Sequence, residues 1–356
     1  MAIFKNHARV TIPNFILSPA LLLYQNILFR ARLHIIQYIF PYSRLVLAFS
    51  LFYVIIIIEY GVISVVMSYI YIILAAISWA SIGIFANNLS ALGFSSLQIS
   101  LLRSVVSLIV VSAFMLIRDR KAFKVSLRDI PLFAAMGLFS SFFCNICYFR
   151  AIQLTGVAIA AVLMYTAPVF VLIASAVLFK EKLNAKKIVA VVFAILGCSL
   201  VSGVLSSQSN ASFIGIIWGI GSGLAYASYS IFSVFALRKY SPSTVLFYMF
   251  AFSCAAAMLI QNPAEVFVAL TDTRTLLFTI GLGVVSTTVP FALYTIGLLK
   301  VAPSKASVIA TVEPATAAIF GVALFSEMLD LSKIIGIVLI ISASIVINSR
   351  FERANK

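Results

Sequence analysis

The chain reads as a succession of apolar runs of about 20 residues separated by short polar segments. A run of that length is what an α-helix needs to cross a hydrocarbon core of about 30 Å at about 1.5 Å per residue. Ten such runs follow residue 66: 69–87, 97–117, 130–150, 157–179, 188–206, 213–236, 242–261, 275–298, 303–325 and 332–349. The loops between them leave no room for a soluble domain, so function has to be built from side chains on the helices themselves. The pattern predicts an all-α polytopic membrane protein.

Composition agrees: 63% of the 356 residues are hydrophobic, 10% are charged and the mean hydropathy is +1.15. A soluble enzyme of ordinary composition is excluded. The net charge of +15 comes from 25 Lys and Arg against 10 Asp and Glu, which in a soluble chain would suggest a nucleic-acid partner. Here the basic residues cluster in loops, as in cytoplasmic loops of membrane proteins, and no nucleic acid is expected. With the first of the ten spans running outward, the inner loops hold Arg118, Arg120, Lys121, Lys124, Arg128, Lys180, Lys182, Lys186, Lys187, Arg238, Lys239, Lys300 and Lys305, and the C-terminal tail adds Arg350, Arg353 and Lys356. The outer loops hold Arg150, Arg274 and Lys333. Both ends of the ten-helix unit are therefore expected in the cytoplasm, in the plasma or inner membrane of the cell, with no cleavable signal peptide.

Sliding the chain against itself gives a match at an offset of 146 residues. Gly137 meets Gly283, Tyr148 meets Tyr294, Pro168 meets Pro314, Glu181 meets Glu327 and Lys187 meets Lys333. Upstream, residues 79–85 resemble 226–232 at an offset of 147. Each half then holds five spans, and because five is odd the second half enters the membrane from the opposite side. Inverted repeats are a common architecture of secondary transporters, with the substrate site near the midplane between the halves.

Two stretches carry a family resemblance. Residues 151–156 (AIQLTG), 163–170 (LMYTAPVF) and Glu181-Lys182-Leu183 in the first half, with 294–298 (YTIGL), 306–314 (ASVIATVEP) and 324–327 (LFSE) in the second, resemble an EamA-type protein of the drug/metabolite transporter superfamily. The resemblance covers about residues 67–349 and implies ten helices as two inverted five-helix repeats around a central cavity. It also implies export or bidirectional movement of amino acids, amines, carboxylates or other small metabolites. The expected organisation is an N-terminal extension over 1–66, a first repeat over 67–206, a second over 213–349 and a cytoplasmic tail over 350–356. The extension is atypical: its apolar run from Leu45 to Met67 would place Lys5, Arg9, Arg30, Arg32 and Arg44 outside if it crossed the membrane. It reads either as an interfacial or re-entrant helix or, the preferred reading, as an over-extended reading frame with the start at Met67.

Polar side chains inside spans are costly unless they face protein or a wet cavity, so they mark a candidate pathway. Ser141, Asn145 and Tyr148 fall on one face of the third span, and Thr287 and Tyr294 occupy the equivalent places of Ser141 and Tyr148 in the eighth. Tyr226 and Tyr229, with Ser222 and Ser233, form a stripe on the sixth span that Trp79 mirrors on the first. Tyr165 stands near Pro168 in the fourth span. Pro168 and Pro314 each remove an amide hydrogen bond in mid-span, exposing the carbonyls of Met164 and Ala310 and predicting hinge-like kinks. Two ionisable groups lie within spans: Glu313, about ten residues into the ninth, suits a carried proton or a cationic amine, and Arg103, shallower in the second, suits a carboxylate. The bland alternatives are hydroxyls bonding their own helices and aromatics filling core.

No metal or cofactor is expected. Cys144, Cys147, Cys198 and Cys254 all lie in apolar runs, and the Cys144-x-x-Cys147 pair lacks the strand-turn-helix setting of a redox motif. A membrane enzyme is disfavoured because both histidines, His7 and His34, precede the ten spans and no HExxH is present. The expected function is a secondary transporter, in the export direction, of small metabolites by alternating access, with protons as the candidate coupling ion. An uncoupled facilitator, or a lipid-scrambling or scaffolding bundle, is the alternative. Oligomeric state is not legible.

Overall fold

The computed structural model describes residues 65–204, 212–261, 264, 271–325 and 330–348. The expected extension up to residue 64 and the tail lie outside the described residues, which all belong to one unit, residues 57–356. Among them every regular element is helical, because in lipid each backbone N–H and C=O has to find its partner within its own segment.

Among the described residues nine helical stretches are long and apolar enough to span: α1 Val65–Ala91, α2 Ser96–Arg118, α3 Leu127–Thr155, α4 Val157–Phe179, α6 Phe213–Leu237, α7 Pro242–Ile260, α8 Thr273–Gly297, α9 Pro303–Leu324 and α10 Leu331–Asn348. The expected fifth span is α5, Ala185–Val201, which at 17 residues falls just under that length. Local chemistry sets the boundaries. Ser95 and Gln98 form a reciprocal capping box at the start of α2, and Ser241 caps α7 through the Thr244 amide. These two caps are themselves 146 residues apart. Between α3 and α4 the chain reverses at Gly156, whose φ of 83° a side chain would resist.

The packing shows the halves exchanging equivalent contacts. Under the 146-residue offset α1 exchanges with α6 and α3 with α8, and α1 packs on α8 as α6 packs on α3. Likewise α1 lies on α9 as α6 lies on α4, while α2 pairs with its own counterpart α7 and α5 with α10. The α5–α10 crossing is made by small residues. A Cβ at Gly197 would lie 2.8 Å from the Gly336 carbonyl oxygen, and one at Gly336 would lie 2.8 Å from that of Gly197. The two backbones touch, which is how helices gain dispersion contacts in lipid, where no hydrophobic force drives them together.

Candidate functional site

Two spans break at equivalent places. Helix α4 divides into Val157–Met164 and Ala167–Phe179, and α9 into Pro303–Ala310 and Val312–Phe325. The cause in each is the proline two or three residues on, Pro168 or Pro314, which cannot donate to the carbonyl four residues earlier. The hydroxyls at the breaks take up part of the slack: Thr166 donates to the Leu163 carbonyl and Thr311 to that of Val308, both at 2.6 Å. The Met164 carbonyl, freed by Pro168, is covered by Gly223 of α6, where a Cβ would come within 3.1 Å of it.

A second paired irregularity lies in α3 and α8. Residues Met136–Phe143 and Val284–Thr288 are π-helical, and Leu138–Phe142 map onto Val284–Thr288 at the repeat offset. Such widened turns leave carbonyls without their usual amide and recur at functional sites. In α8 the hydroxyls of Thr287 and Thr288 donate to the carbonyls of Leu282 and Gly283, five residues back, and Ser107 of α2 adds a 3.0 Å bond to the Gly283 carbonyl. Ser286 pairs with Ser81 at 2.6 Å, at the point where α1 itself is interrupted.

The ionisable groups converge between the halves. Arg103 of α2, Tyr148 of α3, Tyr165 of α4 and Tyr226 of α6 all lie within electrostatic range of the Glu313 carboxylate. The Tyr165 hydroxyl is close enough to interact with it. Glu313 stands in the first turn of the second segment of α9, so the helix dipole favours negative charge there. Arg103 and Glu313 attract each other, yet among the described residues no cationic nitrogen comes within 4.0 Å of a Glu313 oxygen. The two opposite charges belong to one buried polar cluster without closing on each other.

Beside that cluster lie an aromatic wall and a small chamber. The Trp79 ring is 5.3 Å from Phe291, 5.4 Å from Tyr294 and 6.3 Å from Tyr226, centre to centre. Tyr294 shares a 2.8 Å hydrogen bond with Ser230, and Tyr229 bonds Thr295. A cavity of about 10 Å³ sits between α4, α6, α8 and α9, lined by Tyr165, Tyr226, Ser230, Tyr294, Ser307 and Thr311 among others. That is room for about one water, far below the ~300 Å³ at which small-molecule pockets begin. A larger cleft of about 560 Å³ between α1, α9 and α10 is apolar apart from Tyr69, Ser344 and Asn348 and holds no charged group, so it is not the polar site.

Comparison with known proteins decides the family. The profile of the EamA-like transporter family matches the chain twice, over residues 66–203 and 213–349. This chain belongs to that family. It is 32% identical to an uncharacterized transporter of Archaeoglobus fulgidus over 77% of this chain and 94% of the relative. The uncharacterized transporter YxxF of Bacillus subtilis is 27% identical over 62% and 70%, and the uncharacterized inner membrane transporter YicL of Salmonella typhimurium 21% over 78% and 93%. A protein of known crystal structure superposes with a TM-score of 0.66 at 16% identity, covering 79% of this chain and 96% of that one, which supports the fold.

Within this EamA-like transporter the residues picked out from sequence fall into three groups. Arg103, Tyr148, Tyr165, Tyr226 and Glu313 form the polar cluster, of which Tyr165 and Tyr226 also line the chamber, and Trp79, Tyr229 and Tyr294 form the wall beside it. Ser141, Asn145 and Thr287 are engaged elsewhere: Ser141 with Ser253 of α7 at 3.0 Å, Asn145 with Ser100 of α2 at 2.8 Å, and Thr287 with its own helix. Sequence reasoning passed over Ser230, Ser307 and Thr311, which line the cavity. Their signal was available: Ser304, Ser307 and Thr311 recur at helical spacing along one face of α9. Among the described residues no group of His, Cys, Asp and Glu is placed to hold a metal, and the four cysteines are buried and unbonded.

Proposed function

We propose that this protein is a secondary transporter that carries small metabolites across the cell membrane by alternating access, working in the export direction, one of the two (export or bidirectional) that the family resemblance implies. Both ends of its ten-helix unit lie in the cytoplasm. The observation that carries the site is the Arg103–Glu313 pair, drawn from opposite halves and within electrostatic reach of each other without an ion pair. Of amino acids, amines and carboxylates, this arrangement favours a molecule with one anionic and one cationic group, an amino acid foremost: the anion meets Arg103, the cation Glu313, and the tyrosine hydroxyls complete the polar contacts. The paired breaks in α4 and α9 supply flexible points about which the halves rock, with Pro168 and Pro314 as hinges. Protons are the candidate coupling ion at Glu313.

The test is counterflow in proteoliposomes with amino acids, amines and small carboxylates supplied as separate pools, with and without a pH gradient. Uptake of the amino-acid pool, lost in Glu313→Gln and in Tyr165→Phe, is the expected result. Insensitivity to the gradient would make the protein an uncoupled facilitator. Absence of uptake from every pool in a folded sample would favour a lipid-scrambling or scaffolding bundle, which phospholipid exchange between leaflets of the same vesicles reads out.

A further inference from the structure

At the end of the molecule where α4 meets α5, one carboxylate holds three elements together. Lys180 adopts a left-handed turn, φ 54°, at the end of α4, and the Glu181 amide folds back to the Ser175 carbonyl at 3.2 Å. This sets the Glu181 Oε2 atom 2.6 Å from Nζ of Lys187, on the first turn of α5, and the Ser304 hydroxyl donates to the same oxygen. The two charged side chains are only 12% and 15% exposed, and Ser304 is 1% exposed. The other ion pair among the described residues, Lys239–Asp129, is open to water at 58% and 26%. Shielding from water makes the Glu181 contact a strong one where the other is weak.

What this carboxylate holds is the short segment of α9 beside the cavity. Ser304 belongs to the short first segment of α9, Pro303–Ala310, which is detached from the rest of the helix at Thr311. One turn further in, Ser307 lines the central cavity, together with Ala310 and Thr311. Close by, the Arg238 guanidinium lies 5.6 Å from the Phe179 ring and 4.9 Å from that of Phe235, joining the ends of α4 and α6.

We infer that Glu181, Lys187 and Ser304 form a latch that closes one mouth of the chamber, and that its release lets the first segment of α9 swing about Thr311 to admit water and substrate from that side. The inference adds gating to the proposed site and depends on the transport reading only for its purpose, since closure is measurable without substrate. The experiment places Ser307→Cys in a background with the four native cysteines changed to alanine. It follows labelling by a membrane-impermeant maleimide in right-side-out and inside-out vesicles. Glu181→Gln should raise the labelling rate about tenfold from one face, the cytoplasmic one if the loop charges orient the protein as proposed. Ser304→Ala should raise it less. The charge exchange Glu181→Lys with Lys187→Glu should bring the rate back toward that of the parent, a rescue that general loosening would not give. An unchanged rate in Glu181→Gln, or an equal rise from both faces, would overturn the latch. Absence of transport with one-sided labelling intact would instead count against the proposed function and leave the latch standing.

Discussion

Replacing Gly223 by alanine should destabilise the protein although it improves the helix, and the contrast with Gly221 isolates the cause. Both glycines lie inside α6, two residues apart. Alanine is favoured over glycine in a helix interior by about 0.8–1 kcal/mol. At Gly221 a Cβ would meet only the Cys147 Sγ, at an ordinary 3.5 Å, so most of that gain should be kept. At Gly223 the same atom would lie 2.7 Å from the Thr166 hydroxyl oxygen, 2.8 Å from the Leu163 carbonyl oxygen and 3.1 Å from that of Met164. Two of these are backbone atoms at the break in α4 and cannot rotate away, so α6 has to back off or the break has to shift. Overpacking of this kind costs about 1–3 kcal/mol, enough to cancel the propensity gain or reverse it. The two variants should therefore differ by roughly 1–3 kcal/mol. At about 2 °C per kcal/mol for a chain of this size, that is a gap of about 2–6 °C. Paired thermal unfolding in one detergent, followed by a thiol-independent dye, measures it. Gly223→Ala melting at or above Gly221→Ala would refute the claim that α6 rests on the broken helix.

The sorting of polar residues into chamber and scaffold gives a double dissociation: Tyr165→Phe should abolish counterflow with little change in melting temperature, whereas Asn145→Ala, losing its 2.8 Å bond to Ser100, should lower the melting temperature by the equivalent of about 1 kcal/mol and still transport. The opposite pattern would dismantle that sorting. All four cysteines are buried, so the folded protein should take up no polar maleimide and the denatured protein should take up four, as counted by intact mass. Asp272, at the start of α8, is held below the ordinary carboxylate value of 3.8, chiefly by the Thr275 amide that it caps. A depressed carboxylate stabilises the fold fully above its unfolded value, and that contribution fades as pH falls through the lowered one. Asp272→Asn should thus melt below the parent at neutral pH and converge with it on acidification. A gap that widened in acid would reverse the sign of the argument.

The spans were legible because membrane crossing demands about 20 apolar residues in a row, and the observed boundaries of α4, 157–179, coincide with those read from the pattern. The breaks in α4 and α9 were legible because proline leaves a fixed chemical mark. The interruption of α1 at Ser81 and the π-helical turn of α3 had no such mark: neither has a proline just beyond it, whereas Pro290 follows the π-helical turn of α8 by two residues, and hydroxyls crowd both turns at Ser140, Ser141, Ser286, Thr287 and Thr288. The polar stripes were readable as stripes but not as cavity lining. A helical period places Ser141 and Thr287 on an inward face, and inward includes other helices and the residue's own backbone, which is where both are bonded.

The repeat makes the backbone alike in both halves but does not make the chemistry alike. At the offset that aligns the Ser95 and Ser241 caps, Arg103 corresponds to Met249, which is fully buried, and Glu313 to Ala167 at the break in α4. Each charge exists in one copy only. A symmetric pair of sites would allow a bound molecule two equivalent orientations, one facing each half. One guanidinium and one carboxylate on different halves allow a single orientation, held from both sides at once. Under the proposed alternating access, rocking of the halves would open either mouth by nearly mirror-related motions while the molecule between them would keep its two ends on the same two partners, a division of labour between backbone and side chains that the inverted fold permits.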